Sequence, residues 1–155
     1  MSTTVTARLA DLGLTLPPVP AAVAAYVPAV RQGDLVWTSG QLPFVDGVLA
    51  ATGLVGEGKN LVTPQHAARL AGICALNALA AAAAVADLDH LRVVKVVGFV
   101  AGAPGFTGQA HVVDGASSLL GGVFGDAGRH ARSAVGVAAL PLGAPVEIEL
   151  VAAWA

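Results

Sequence analysis

The sequence predicts an α+β sandwich, a mixed sheet with two helices on one face. Three observations lead there. Long helix-patterned stretches alternate with short β-branched runs in the order ββ(β)αβαββ. At 155 residues the chain has the size of one ordinary domain. Apolar residues make up 55% of it and charged residues 12%, so the sheet face that the helices leave open needs a further cover.

Residues 3–14 place Val5, Leu9 and Leu12 at helical spacing, and Pro17, Pro18 and Pro20 then stop the helix and begin an extended linker. Residues 1–25 are therefore an N-terminal extension of a single domain spanning 1–155. Residues 25–31 and 35–39 turn β-like around Gln32, Gly33 and Asp34, which predicts a hairpin. Asp46-Gly47, between residues 43–45 and 48–50, is the dipeptide of a type I′ turn, whose two central positions need positive φ.

Thr63 can cap a helix with its hydroxyl and Pro64 suits the first helical position, so an alanine- and leucine-rich helix is expected to run to about Ala86. Residues 91–100, with Val93, Val94, Val96, Val97 and Val100, read as a central strand ending at the turn residues 102–105. A second helix runs from about Gln109 to Phe124 and stops at Gly125. Strands over 133–138 and 145–153 close the chain, joined through Pro141 and Gly143.

The charge pattern narrows the function. The net charge is -2, and the eight Lys and Arg residues lie scattered, with no basic run to neutralise phosphates, which argues against a nucleic-acid partner. A single cysteine, Cys74, cannot close an intrachain disulfide, and the N-terminus lacks a signal-peptide pattern; both point to the cytoplasm. The stretch between Arg69 and Asp87 carries no charge and approaches bilayer-spanning length. It is mostly alanine, holds Asn77 and stands alone, so a core helix against a sheet and a neighbouring subunit explains it without a membrane. Self-association of the open sheet face into a closed ring of sheets would explain the low charge.

Several motifs resolve to plain readings. Residues 53–60 approach a phosphate-binding loop, but Asn60 replaces the magnesium-holding hydroxyl and the helix starts later, at Thr63-Pro64. A glycine loop is the simpler reading. His66, His90, His111 and His130 lack metal-ligand spacing, so no metal and no other cofactor is expected. Cys74 inside the alanine-rich helix reads as a small hydrophobe, and no serine sits in a nucleophile elbow. The C-terminal segment differs. Arg132 stands at the start of an apolar strand, and Glu147 and Glu149 alternate with Val146, Ile148 and Leu150, so both carboxylates share one face.

Residues 131–135 (Ala-Arg-Ser-Ala-Val), Leu140-Pro141 and Val146-Glu147-Ile148-Glu149 resemble the signature of the RidA/YjgF reactive-intermediate deaminase family. Residues 37–43 (Trp-Thr-Ser-Gly-Gln-Leu-Pro) are similar to its second landmark, and the resemblance spans residues 26–151. The extension and the C-terminal wording look most like a subgroup named for endoribonuclease activity. The resemblance implies a chorismate-mutase-like fold and a homotrimer with sites in the clefts between subunits. It also implies roles: Arg132 holds a substrate carboxylate with help from the Ala134 backbone N–H, and Glu147 positions or activates a water. Tyr26 would reach in from the first strand, and Ser39 and Gly40 would line the pocket. Asp114 falls where family deaminases often carry Asn, which adds a negative charge near an anion site, and Ala134 falls where they often carry Cys, which keeps only the backbone donor.

The function so implied is hydrolysis of a reactive enamine or imine to a 2-keto acid and ammonia. A guanidinium offers parallel N–H donors to the carboxylate and turns the C=N carbon toward a water on Glu147. The rival reading is a non-catalytic small-carboxylate binder or regulatory protein using the same intersubunit cleft, which the Asp114 and Ala134 departures favour. Ribonuclease activity lacks a basic surface and paired histidines, and chorismate mutase activity would rest on fold analogy alone.

Overall fold

The computed structural model describes residues 4–19 and 24–155; Thr3 and Pro20 of the expected extension lie outside the described residues. Helix α1 spans Val5–Asp11, capped by the Thr4 hydroxyl, which accepts from the Ala7 N–H. Val5 and Leu9 are buried against the body of the domain, while Leu12, expected on the same stripe, only caps the helix and is half exposed. The Val5 N–H donates to Asp89 at 2.6 Å.

Strands β1 (Ala29–Gln32) and β2 (Leu35–Thr38) form the first hairpin. The strand expected from residue 25 starts only at Ala29, because Pro28 has no N–H to give a ladder. Strands β3 (Phe44–Val45) and β4 (Val48–Leu49) flank Asp46 and Gly47, both at positive φ (51° and 79°), as the dipeptide demands.

Helix α2 covers Pro64–Ala83, and the Thr63 hydroxyl accepts from the His66 N–H at 3.2 Å. It stops three residues short of the expected end, and the chain turns through a single 3-10 turn at Leu88–His90 into β5 (Leu91–Ala101). Helix α3 spans Gln109–Phe124 and ends at Gly125, whose φ of 62° suits glycine. Strand β6 runs over Ala131–Val137 and β7 over Val146–Trp154.

The main sheet has the order β1-β2-β7-β5-β6, parallel only between β5 and β6 and antiparallel elsewhere. The β5–α3–β6 crossover that a parallel pair requires lays α3 over the sheet beside α2. Both helices cover one face, as expected. Val93, Val96 and Val100 of β5 and Val146, Ile148, Leu150 and Ala152 of β7 point into that layer and are buried. α2 is long and apolar enough to cross a membrane, but Ala67, Leu70, Ala71, Cys74, Ala78 and Leu79 are buried in the common core, so it is a core helix. The helices approach closely where Gly115 faces the Ala68 carbonyl, and Gly98 of β5 leaves room for Val113.

Among the described residues nothing covers the opposite face. Register places Leu35 and Trp37 beside Ala153 and Val151, and Val97 and Phe99 beside Glu149 and Glu147. Val30, Trp37, Val94 and Val135 are each 40% exposed or more, an apolar surface without a cover in one chain.

Candidate functional site

The residues expected to form one site lie in two groups. Around the start of β7, Glu147 alternates with buried Val146 and Ile148 and so projects from the uncovered face, half-buried, with Glu149 two residues on. Beside it, the segment after β2 bends onto β7: the Gln41 N–H donates to the Ile148 carbonyl at 2.8 Å and the Ile148 N–H returns the bond at 3.0 Å. That bridge lays Gly40 against the Glu147 carboxylate, so closely that any Cβ on Gly40 would collide with it. Asn77 of α2 fixes the same segment from below, its amide donating to the carbonyls of Leu42 (2.9 Å) and Phe44 (3.1 Å). The polar residue in the apolar helix thus has a structural task.

The acidity of Glu147 follows from this position. Burial raises its pKa above the ordinary glutamate value, and the neighbouring Glu149 charge raises it further. Among the described residues it has no hydrogen-bond or ion-pair partner. A carboxylate held this way is a stronger base than a solvated one, which suits it to take a proton from water.

Ser39 and Tyr26 flank this group. The Ser39 hydroxyl donates to the Val27 carbonyl at 2.7 Å and its N–H to the Pro28 carbonyl at 2.8 Å, which anchors the segment before β1. Tyr26 is not on the first strand, contrary to expectation; it precedes β1, is 58% exposed, and lines an open hollow of about 340 Å³ with Val30, Trp37, Thr38 and Ser39. Trp37 is a lining residue that the sequence suggested only as part of a motif.

The second group sits on the other side of the sheet. Arg132 pairs in register with Val96, whose side chain is buried under the helices, so Arg132 points toward α3. Its Nη1 donates to Asp114 at 2.7 Å and to the Ser117 hydroxyl at 3.2 Å. Asp114 and Arg132 are thus brought together, and the extra negative charge is neutralised by the arginine itself. Ala134 shares the face of Arg132, half-buried against the core, on β6 at the edge of the sheet. Ser117 and His130 complete the group, 3.0 Å apart, and neither stood out in the sequence. A signal existed: Ser117 lies one helical turn after Asp114, and His130 lies two residues before Arg132, just ahead of β6.

Glu147 and Arg132 do not meet within one chain, because they project from opposite faces of the sheet. Burial raises the pKa of Cys74 well above the ordinary thiol value, as does the Glu147 charge, so its thiol stays protonated and unreactive in the core. The glycine loop before α2 holds Gly53, Gly58 and Asn60 at positive φ, and the helix begins beyond it at Pro64.

A sheet with two helices on one face, a basic residue on its edge strand and a half-buried carboxylate on its open face defines the class of the protein as α+β. The chain belongs to the family described as Endoribonuclease L-PSP, the YjgF/RidA family, whose profile matches residues 18–154. It is similar to Protein TCP17 of Trypanosoma cruzi, 45% identical over 94% of this chain and 91% of that one. It is also similar to a Shewanella oneidensis protein named for endoribonuclease activity, 31% identical, covering 97% and 99% of the two chains at a TM-score of 0.90. E. coli TdcF, whose structure holds a bound serine, is 26% identical, covering 88% and 94% at a TM-score of 0.61.

Proposed function

We propose that the protein hydrolyses a reactive enamine or imine of a small amino acid to the 2-keto acid and ammonia. The observation that carries this reading is Glu147: half-buried, unpaired, raised in pKa and seated against Gly40. In the proposed step the imine nitrogen takes a proton from solvent, and the water oxygen adds to the C=N carbon as Glu147 takes a proton from that water. Glu147 then hands this proton to the amino nitrogen of the carbinolamine, making ammonia the leaving group as the hydroxyl proton returns to solvent. The carbinolamine then expels ammonia and leaves the keto acid. Arg132 holds the carboxylate and Ala134 lends its backbone N–H; Tyr26, Ser39 and Gly40 form the wall. Two further facts support it. The family includes reactive-intermediate deaminases, and TdcF takes an amino acid with the same carboxylate.

Because the two groups project from opposite faces, the reading requires a second copy. We propose a homotrimer in which the apolar open faces pack together and the Arg132 edge of one subunit meets the Glu147 face of its neighbour. The site is then intersubunit and the small carboxylate its ligand. A buried, reduced Cys74 fits the cytoplasm, where we place the protein.

The test is keto-acid release from 2-aminoacrylate generated in situ, measured above the spontaneous rate. We expect release by the parent protein and none above background from Arg132→Ala or Glu147→Gln. One observation favours non-catalytic carboxylate binding instead: Asp114 already occupies part of Arg132. Carboxylate binding by the parent protein without acceleration of any imine would establish that alternative.

A further inference from the structure

The hydrogen bonds around Arg132 have a fixed direction. His130 Nδ1 lies 2.6 Å from the Gly128 carbonyl, which can only accept, so Nδ1 carries the proton. In the neutral ring Nε2 is then an acceptor, and the Ser117 hydroxyl, 3.0 Å away, must donate to it. That leaves the Ser117 lone pairs to receive Arg132 Nη1 at 3.2 Å. Nη1 has two hydrogens; Asp114 takes one and Ser117 the other. Nε and Nη2 bond no acceptor among the described residues, and together they present two parallel N–H groups.

We propose that Ser117 and His130 are positioning residues which, with Asp114, lock the Nη1 side of Arg132 and leave its Nε–Nη2 edge to take a ligand carboxylate side-on. The proposal rests on the reading of Arg132 as the carboxylate anchor. The order of the chain matters. The Gly128 carbonyl sets the tautomer of His130, the tautomer sets the direction of the Ser117 hydroxyl, and the hydroxyl holds the guanidinium in one plane. Without this chain Arg132 keeps its charge and its Asp114 partner but can turn about the Asp114 bond, and the paired donors no longer face one place. Asp114 acquires a function as well: it fills the edge that would otherwise compete for the ligand.

Calorimetric titration with pyruvate tests this on Arg132→Ala, Ser117→Ala, His130→Ala and His130→Gln, with the melting temperature of each variant recorded. Glutamine places an acceptor close to where Nε2 stands, so His130→Gln is the rescue. We expect Arg132→Ala to abolish measurable binding. Ser117→Ala and His130→Ala should weaken it by roughly three- to tenfold, and His130→Gln should restore most of the loss. Parent-like affinity in Arg132→Ala, or no binding by the parent protein, overturns the anchor reading itself. Loss in Arg132→Ala with parent-like affinity in both Ser117→Ala and His130→Ala overturns the positioning proposal alone. So does a melting temperature that falls equally in both His130 variants with no rescue of affinity, since that marks a bracing role. Should Ser117→Ala fail to fold, the two His130 variants decide.

Discussion

Gly115 and Gly40 each stand against a close neighbour, on opposite faces of the same sheet, and the neighbours differ in kind. On the covered face a Cβ on Gly115 would strike the backbone carbonyl of Ala68, an atom that moves only if α2 moves. On the open face a Cβ on Gly40 would strike the carboxylate of Glu147, the far end of a flexible side chain. The covered face is built for stability: small residues let two helices approach, and Val96, Val100, Val146 and Ile148 are fully buried beneath them. The open face keeps exposed valines, Trp37 and an unpaired carboxylate, groups that a single chain gains nothing by displaying. One face folds the chain, and the other stays open, which is where the proposed trimer contact and the proposed chemistry lie.

The largest expected effect breaks the open face. Trp37→Asp together with Val135→Asp puts charge into surface that the proposed trimer buries, where an unpaired carboxylate is costly. Sedimentation should change from trimer to monomer and imine hydrolysis should fall to background, while far-ultraviolet circular dichroism stays that of the parent. A parent protein that sediments as a stable monomer at micromolar concentration would refute the assembly and the shared site with it.

Next in size is Gly115→Ala. Alanine gains helix propensity of about 1 kcal/mol over glycine, but overpacking against backbone costs about 1–3 kcal/mol. The cost wins because the Ala68 carbonyl cannot yield. Thermal unfolding should begin several degrees lower, at roughly 2–4 °C for each kcal/mol in a domain of this size. A raised melting temperature would mean that the helices are farther apart. Gly40→Ala sharpens the contrast: the Glu147 side chain swings aside, so stability should stay within about 0.5 kcal/mol of the parent while imine hydrolysis drops. Equal damage to stability from the two substitutions would erase the distinction between the faces.

What the sequence reveals of this architecture follows the range of the interactions. The Thr63-Pro64 start of α2, the Asp46-Gly47 turn and the shared face of Glu147 and Glu149 are local, each set by neighbours within a few residues, and each is present in the structure. The end of α2 is less legible because Ala84, Val85 and Ala86 hold no breaker, and the chain leaves the helix only to reach Leu88. Tyr26 drops out of the first strand through a single residue, Pro28. The group of Asp114, Ser117, His130 and Arg132 joins a helix to the strand after it, and only the β5–α3–β6 crossover lays one over the other. The separation of Arg132 from Glu147 is a question of strand register, where a one-residue slip would reverse the answer. Motif spacing carries no information about that.

The smallest expected effect concerns the two carboxylates of the open face. Glu147 is raised first by burial and then by Glu149, so its proton is bound more tightly in the folded chain than in the unfolded one. The sign follows: Glu147 favours the folded state below the unfolded-state pKa, and this contribution is lost as pH rises through its folded pKa. Glu147→Gln should therefore raise the melting temperature slightly at neutral pH while hydrolysis disappears, the two readouts moving in opposite directions. Glu149→Gln removes only the charge and leaves the burial. The Glu147 titration, followed by carbon NMR of its carboxyl group, should then shift toward lower pH without returning to the ordinary glutamate value. Water and salt screen two half-buried groups, so the shift should be modest and should shrink at high ionic strength. The acid limb of imine hydrolysis should move the same way, since it reports the ionisation of the base. An unchanged titration would leave burial as the whole cause. Loss of hydrolysis in Glu149→Gln with full activity in Glu147→Gln would exchange the two roles.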